Sequence, residues 1–84
     1  MYRQLVVSAV IPALNEENAV GLVVADLRAL RDASGKPVVD YVVVCDNGST
    51  DRTAARAAAA GAIVVHASQA GYGHACQVAI DALP

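Results

Sequence analysis

The chain has 84 residues, of which 56% are hydrophobic and 17% are charged, and its formal net charge at pH 7 is −2. This length suits one small domain with a thin core, and the apolar content excludes a disordered chain. The six basic residues are scattered and form no basic stripe, so a nucleic-acid partner is not expected.

The two cysteines, Cys45 and Cys76, lack the spacing of metal ligands, and they predict neither a disulfide framework nor a zinc site. A reducing, cytoplasmic location fits this usage best. The first apolar run is broken by Pro12 and by residues 15–17, so it resembles neither a membrane-spanning helix nor a signal peptide. We therefore expect a soluble chain with no membrane segment.

The first apolar run, residues 5–11, predicts a buried strand that ends at Pro12. Asn15 or a neighbour is expected to cap the helix that follows, with Glu16 and Glu17 in its first turn, where the helix dipole favours negative charge. The helix is predicted from apolar residues that recur at helical spacing. These are Ala19, Val20, Val23, Val24, Leu27 and Leu30. A glycine and a proline in residues 34–37 are expected to end it.

The strongest strand signal is residues 38–45, in which three valines and a cysteine follow one another, as in a strand covered on both faces. Residues 46–51 then supply turn chemistry and side-chain oxygens for the free amides of a new helix. The alanine-rich segment 54–60 predicts that helix, and Gly61 predicts its end.

Residues 62–66 predict a third strand, and residues 74–83 predict the opening of a third helix after a loop. The order βαβαβα predicts an α/β fold: a three-layer, Rossmann-like parallel sheet with right-handed crossovers. It corresponds to the first half of a nucleotide-binding sheet.

Polar clusters follow each predicted strand, at residues 12–16, 46–51 and 71–74. The carboxyl ends of parallel strands meet at one edge of the sheet, which is where open α/β sheets bind ligands. Each cluster alone is explained at least as well by turn and cap chemistry. Together they favour a ligand site, in which Asp46 can accept hydrogen bonds from a base or a ribose.

Other reactive residue types have simpler explanations. Residues 71–76 match the start of a dinucleotide fingerprint, but a cysteine replaces the third glycine and the segment follows the third strand, so it is weak evidence for NAD. His66 is expected only to end a strand, and Cys45 to be an inert core residue. Arg52 and Arg56 could meet a diphosphate, although a solvated helix face is the commoner explanation.

Three stretches, in this order and spacing, resemble family 2 glycosyltransferases. They are VIPALNEEN at residues 10–18, VCDNGSTDRTA at residues 44–54 and GYGHAC at residues 71–76. Enzymes of this family have the GT-A fold and transfer a sugar from a nucleotide diphosphate donor to an acceptor. The resemblance implies that residues 1–84 are the N-terminal, nucleotide-sugar-binding part of such a domain, with a UDP- or GDP-sugar as donor.

The resemblance also implies which residues contact the donor, and all of them follow predicted strands. They are Pro12, Ala13, Asn15, Glu16, Asp46, Gly48, Ser49, Gly71, Gly73 and His74. The first four would frame the base and the ribose, and Asp46 would hydrogen-bond the base. Gly48 and Ser49 would shape the adjacent turn, and the last three would belong to a loop that closes over the nucleotide.

In the family, a later strand ends in an Asp-x-Asp motif that holds Mg or Mn against the diphosphate, and the catalytic base lies beyond it. These 84 residues contain no Asp-x-Asp motif. We therefore expect a truncated domain without catalytic residues or metal ligands, inactive alone because a metal must stabilise the leaving group. The first strand, interior in the family, would have an open edge, which predicts self-association.

Two alternatives remain. The first is a non-catalytic nucleotide-binding module or partner subunit that uses the same edge of the sheet. The second is a fragment of a Rossmann-like NAD enzyme, which is disfavoured because the first strand is not followed by a glycine-rich turn.

Overall fold

The structure is a computed structural model, and the residues that it describes are 7–66, 76–77 and 80–81. Its elements are β1 (Ser8–Ala13), α1 (Val20–Ala29), β2 (Tyr41–Asp46), α2 (Thr53–Ala59) and β3 (Ile63–His66). Residues 76, 77, 80 and 81 are also helical, in the predicted third helix. Among the described residues, no helix combines the length and apolarity needed to cross a membrane.

The three strands form one parallel sheet in the order β1-β2-β3. On one face, α1 and α2 pack around Val42 and Val44, and on the other face Val43 and Cys45 pack against Cys76. Apolar side chains cover β2 on both faces, which explains its continuous run of valines. The predicted three-layer, parallel α/β arrangement is confirmed.

The prediction that Pro12 ends the first strand was wrong, because β1 runs through it to Ala13. The carbonyl oxygens of Val7 and Ala13 accept hydrogen bonds from the amides of Tyr41 and Asn47. Odd-numbered residues of β1 therefore present their backbone groups to β2, and even-numbered residues present theirs to the opposite edge. Proline is tolerated on that edge because its missing N–H removes no bond from the β1–β2 ladder.

The predicted start of the first helix was also wrong. α1 begins at Val20 without a side-chain cap and without an acid in its first turn, so Asn15 does not cap it and residues 16–17 precede it. Backbone groups close the entry turn, because the amides of Ala19 and Val20 both donate to the carbonyl of Glu16.

The predicted apolar stripe of α1 is only partly buried. Val20 and Val24 lie in the core, whereas Val23 and Leu30 are 42% and 47% exposed. The helix also ends at Ala29, several residues before the predicted stop, and the chain then turns around Asp32.

The stop signal at Gly61 is confirmed. Its φ is 104°, a conformation that glycine adopts without the steric cost of a side chain. The guanidinium of Arg28 donates to the carbonyl of Ala60 at 2.8 Å and lies over Gly61, where a Cβ atom would collide with it. The positive φ is the reason for glycine at this position, because the flexible end of the Arg28 side chain can move away from a Cβ atom.

The cysteine pairing corrects the sequence analysis. Cys45 on β2 and the helical Cys76 form a disulfide, with their Cα atoms 6.0 Å apart. Both residues are buried. The pairing was not foreseeable from spacing, because 31 residues separate the two cysteines and only the fold brings them together.

Truncation of a core valine tests the packing of α1. Val24→Ala removes a fully buried side chain and is expected to lower the free energy of unfolding by about 2 kcal/mol, from lost burial and a residual cavity. Val23→Ala, on the same helix but 42% exposed, is expected to cost less than about 0.5 kcal/mol. Urea denaturation measures both values, and equal losses would contradict this packing.

Candidate functional site

Two loops meet at the carboxyl end of the sheet: the β1–α1 loop, residues 14–19, and the β2–α2 loop, residues 47–52. Asn15 joins them in both directions. Its amide donates to Oγ of Ser49 at 2.9 Å, and its Oδ1 accepts from the amide of Thr50 at 3.0 Å. Its φ of 52° lies in the left-handed region, which asparagine tolerates better than most residues. Asn15 therefore connects the loops instead of capping α1.

Thr53, the first residue of α2, makes a second connection. Its side chain is fully buried, and its Oγ1 accepts a hydrogen bond from the amide of Glu16 at 2.7 Å. The same hydroxyl donates to Oδ1 of Asp51 in a short hydrogen bond. Oδ2 of Asp51 in turn accepts from the amide of Glu17 at 3.3 Å. Together with the hydrogen bonds of Asn15, these contacts form a polar network that joins the two loops.

Asp46 ends the central strand next to this network. It is 4% exposed, and its Oδ1 accepts from the amide of Ser49 at 3.2 Å. Its Oδ2 lies 3.5 Å from Nδ1 of His66, whose side chain is 71% exposed. An ionised carboxylate has about four acceptor positions, so Asp46 can accept a further hydrogen bond from a ligand. The sequence did not predict that His66 lies next to Asp46, because this contact depends on how β2 and β3 are aligned in the sheet.

Asn47 adds a polar group that sequence reasoning did not single out. Its Oδ1 is buried and has no hydrogen-bond partner within the described part of the chain. A buried acceptor left unpaired costs about 1–3 kcal/mol. A donor from a ligand would remove this cost.

The structure brings together seven of the ten residues implied to contact a donor. Pro12, Ala13, Asn15, Glu16, Asp46, Gly48 and Ser49 lie at the carboxyl ends of β1 and β2 or in the loops that follow. Gly71, Gly73 and His74 lie outside the described residues. The seven residues differ in solvent exposure: Ala13 is buried in the core, whereas Pro12 and Gly48 are exposed.

A shallow cleft of about 210 Å³ lies beside β1 and includes Pro12, Ala13 and Glu16 in its lining. A larger cavity, about 340 Å³, lies near the amino ends of β2 and β3 and is lined by none of the ten residues. Its two arginines, Arg28 and Arg31, donate to backbone carbonyl groups. We therefore place the candidate site at the polar carboxyl end of the sheet, not at the larger cavity.

The charged helix residues contribute little to the site. Arg56 lies 4.0 Å from Glu17, but both side chains are partly exposed, and such surface pairs stabilise proteins by at most about 1 kcal/mol. Asp51 is different, because hydrogen bonds from the Thr53 hydroxyl and from the amides of Thr53 and Glu17 lower the pKa of its carboxyl group. The network therefore favours a negative charge on Asp51.

Comparison with known proteins identifies the relatives of the chain. The profile of the family described as Glycosyl transferase family 2 matches residues 8–83. The glucosyl-3-phosphoglycerate synthase of Mycolicibacterium smegmatis is 52% identical over 59 residues, which are 70% of this chain and 18% of that protein. The dolichyl-phosphate hexose transferase of Haloferax volcanii is 37% identical over 73 residues, 87% of this chain and 29% of that protein.

A solved structure gives the same result. The glucosyl-3-phosphoglycerate synthase from Mycobacterium tuberculosis, in complex with Mn²⁺, UDP and glucosyl-3-phosphoglycerate, superimposes with a TM-score of 0.62 and 44% identity. The match covers 73% of this chain and 20% of that chain. The likeness confirms the predicted GT-A type of fold, and the chain spans about a fifth of the length of these synthases.

The charge on Asp51 makes part of the stability pH-dependent. Its pKa in the folded chain lies below the ordinary value of 3.8, so its contribution is complete above about pH 4 and is lost as the pH falls through the lowered pKa. Asp51→Asn is expected to flatten the acid side of the curve of unfolding free energy against pH, measured by urea denaturation between about pH 6 and pH 2.

Asp32 provides the control. Hydrogen bonds from Ser34 and Lys36 lower its pKa too, in the turn after α1 and away from the candidate site. Asp32→Asn should also flatten the acid side, but only Asp51→Asn should accelerate hydrogen exchange at the Glu17 amide. Equal exchange in the two variants would contradict the Asp51–Glu17 contact.

Proposed function

Because the chain belongs to glycosyl transferase family 2, we propose that residues 1–84 are the N-terminal part of a domain that binds a nucleotide diphosphate sugar. The enzyme would transfer the sugar from this donor to an acceptor. The observation that supports this most directly is the position of Asp46, a buried carboxylate at the strand end where the two connected loops meet. Parallel α/β sheets bind nucleotides at this edge.

Uracil is the base that we propose for the donor. The ring N–H of uracil is a hydrogen-bond donor, and the carboxylate of Asp46 is an acceptor already oriented by the Ser49 amide. UDP is bound in the M. tuberculosis relative, which supports uridine over guanosine. The buried Oδ1 of Asn47, the next residue in the chain, is a second acceptor without a partner among the described residues.

The remaining contacts are assigned by segment. Exposed residues of the β1–α1 loop, together with Pro12, would frame the base and the ribose, while Ala13, whose side chain lies in the core and whose carbonyl accepts from the Asn47 amide, would hold this segment in place. The turn at Gly48, with a φ of 79°, would bring the chain close to the nucleotide without a side chain in the way. Gly71, Gly73 and His74 would close over the nucleotide.

In the transfer step, the bond between the sugar and the diphosphate breaks and a bond to the acceptor oxygen forms. The described residues would hold and orient the nucleotide leaving group for this step. The relative's structure contains Mn²⁺, which stabilises charge on a diphosphate in such chemistry. The described residues offer no group of three His, Cys, Asp or Glu that could hold a metal ion, so we assign no metal ligand here.

We also propose that the protein works in the cytoplasm. The Cys45–Cys76 disulfide is the observation that bears on this location, and it counts against it, because disulfides are rare in a reducing compartment.

A substitution that removes the charge of Asp46 tests donor binding. Asp46→Asn keeps the size of the side chain but weakens its acceptor strength, and it should reduce UDP affinity about 10- to 100-fold, as expected for the loss of a hydrogen bond to a charged group. Calorimetric titration of the 84-residue chain with UDP and with GDP, with and without Mn²⁺, measures this effect.

Asp26→Asn is the matched control, because Asp26 is an exposed carboxylate on α1 away from the site. It should leave UDP affinity unchanged. Tighter binding of GDP than of UDP, or equal affinities for UDP in the wild type and Asp46→Asn, would contradict the proposed uridine site.

We further propose that the chain self-associates through β1. Within the described residues no strand pairs with the outer edge of β1, where the even-numbered residues present backbone groups. Val10, in the middle of this strand, is 41% exposed. An unpaired, apolar edge of this kind can be completed by a second copy of the chain.

A charge on the edge strand should prevent this association. Val10→Lys is expected to give a monomer at concentrations where the wild type sediments as a dimer or larger, because burying a lysine at a strand pair is unfavourable. Leu22→Lys makes the same change at a residue of α1 that is 69% exposed, and it should leave the association unchanged. A monomeric wild type at millimolar concentration would refute the proposal.

A further inference from the structure

Three successive backbone amides of the β1–α1 loop each donate to a different side chain from residues 49–53, which run from the β2–α2 loop into the first residue of α2. The pairs are Asn15 with Ser49, Glu16 with Thr53, and Glu17 with Asp51. The three acceptors are every second residue from 49 to 53, and the three donors are consecutive residues. Each pair is separated by 34 to 37 residues in the sequence.

These bonds change what the β1–α1 loop can do. Free amides between a strand and the following helix are an anion site, which many nucleotide-binding sheets use for phosphate. Here the amides of residues 15–17 already have side-chain acceptors. The diphosphate of a donor would have to displace these acceptors to bind there, so the loop serves the nucleotide by its shape and not by its amides.

Thr53 is central to this arrangement because its hydroxyl is both buried and shared. It accepts from the Glu16 amide and donates to Asp51, whose other oxygen accepts from the Glu17 amide. Without the hydroxyl, the Glu16 amide loses its acceptor and Asp51 loses a donor. One side chain therefore fixes two of the three loop amides, one directly and one through Asp51.

We infer that Thr53 is a positioning residue for the donor site: its buried hydroxyl holds the β1–α1 loop in the conformation that receives the nucleotide. The inference rests on the proposed function. A loop that is already ordered loses less conformational entropy when a ligand binds, so donor affinity should depend on Thr53 even though its side chain is buried away from the ligand.

Two substitutions at Thr53 separate the hydroxyl from the packing. Thr53→Val preserves the shape and removes the hydroxyl, whereas Thr53→Ser retains the hydroxyl and removes the methyl group. We expect Thr53→Val to accelerate hydrogen exchange at the Glu16 and Glu17 amides at least about tenfold without ligand, and to weaken UDP binding about tenfold. Thr53→Ser should restore both values to near those of the wild type.

Amide exchange at Val44, in the centre of β2, reports whether the fold is intact. If Thr53→Val does not fold, Asp51→Ala removes the acceptor of the Glu17 amide at a partly exposed residue, and it should weaken UDP binding with unchanged exchange at Val44. Unchanged UDP affinity in that variant would overturn the inference.

The outcomes separate the two claims. Exchange at Glu16 unchanged by Thr53→Val, or accelerated exchange with unchanged UDP affinity, would overturn the inference. Absence of UDP binding by the wild-type 84-residue chain would contradict donor binding by this part of the domain, while the exchange rates without ligand would still show whether Thr53 holds the loop.

Discussion

The hydroxyl of Thr53 connects parts of the chain that meet only in the folded state. It joins the first residue of α2 to the loop that precedes α1, and the carboxylate of Asp51 extends the connection by one residue. The two loops therefore have a fixed relative position, although neither belongs to a helix or a strand. The proposed donor site depends on this rigidity, because its residues come from both loops.

Burial of β2 on both faces explains the chemistry at its end. Apolar side chains from two layers cover Val43 and Val44, and the strand runs directly into Asp46. A carboxylate in this position is 4% exposed and needs donors to offset the loss of hydration. The Ser49 amide is one such donor, and a ligand N–H directed at the remaining lone pairs would add to it.

The two ends of the sheet differ in the groups that they present. At the carboxyl end, side-chain oxygens accept hydrogen bonds from loop amides, which orders the loops. Toward the amino end of the sheet, the side chains of Arg28 and Arg31 donate to backbone carbonyl groups. The acceptor of Arg28 is the carbonyl of Ala60, which follows α2. The larger cavity lies beside these arginines, but the convergent acceptors lie at the carboxyl end. The position of a site thus follows from the polar groups and not from the volume of the space.

The order of the elements, the parallel sheet and the position of Asp46 are predictable from the residues alone, because apolar runs, alanine content and Gly61 act through local backbone preferences and burial. The start of α1, the place of Pro12 within β1, the disulfide and the contacts of Thr53 are not. The tertiary structure decided these features through contacts between residues that are 31 to 37 positions apart, or through the side of the strand that faces its neighbour. No local spacing encodes such contacts.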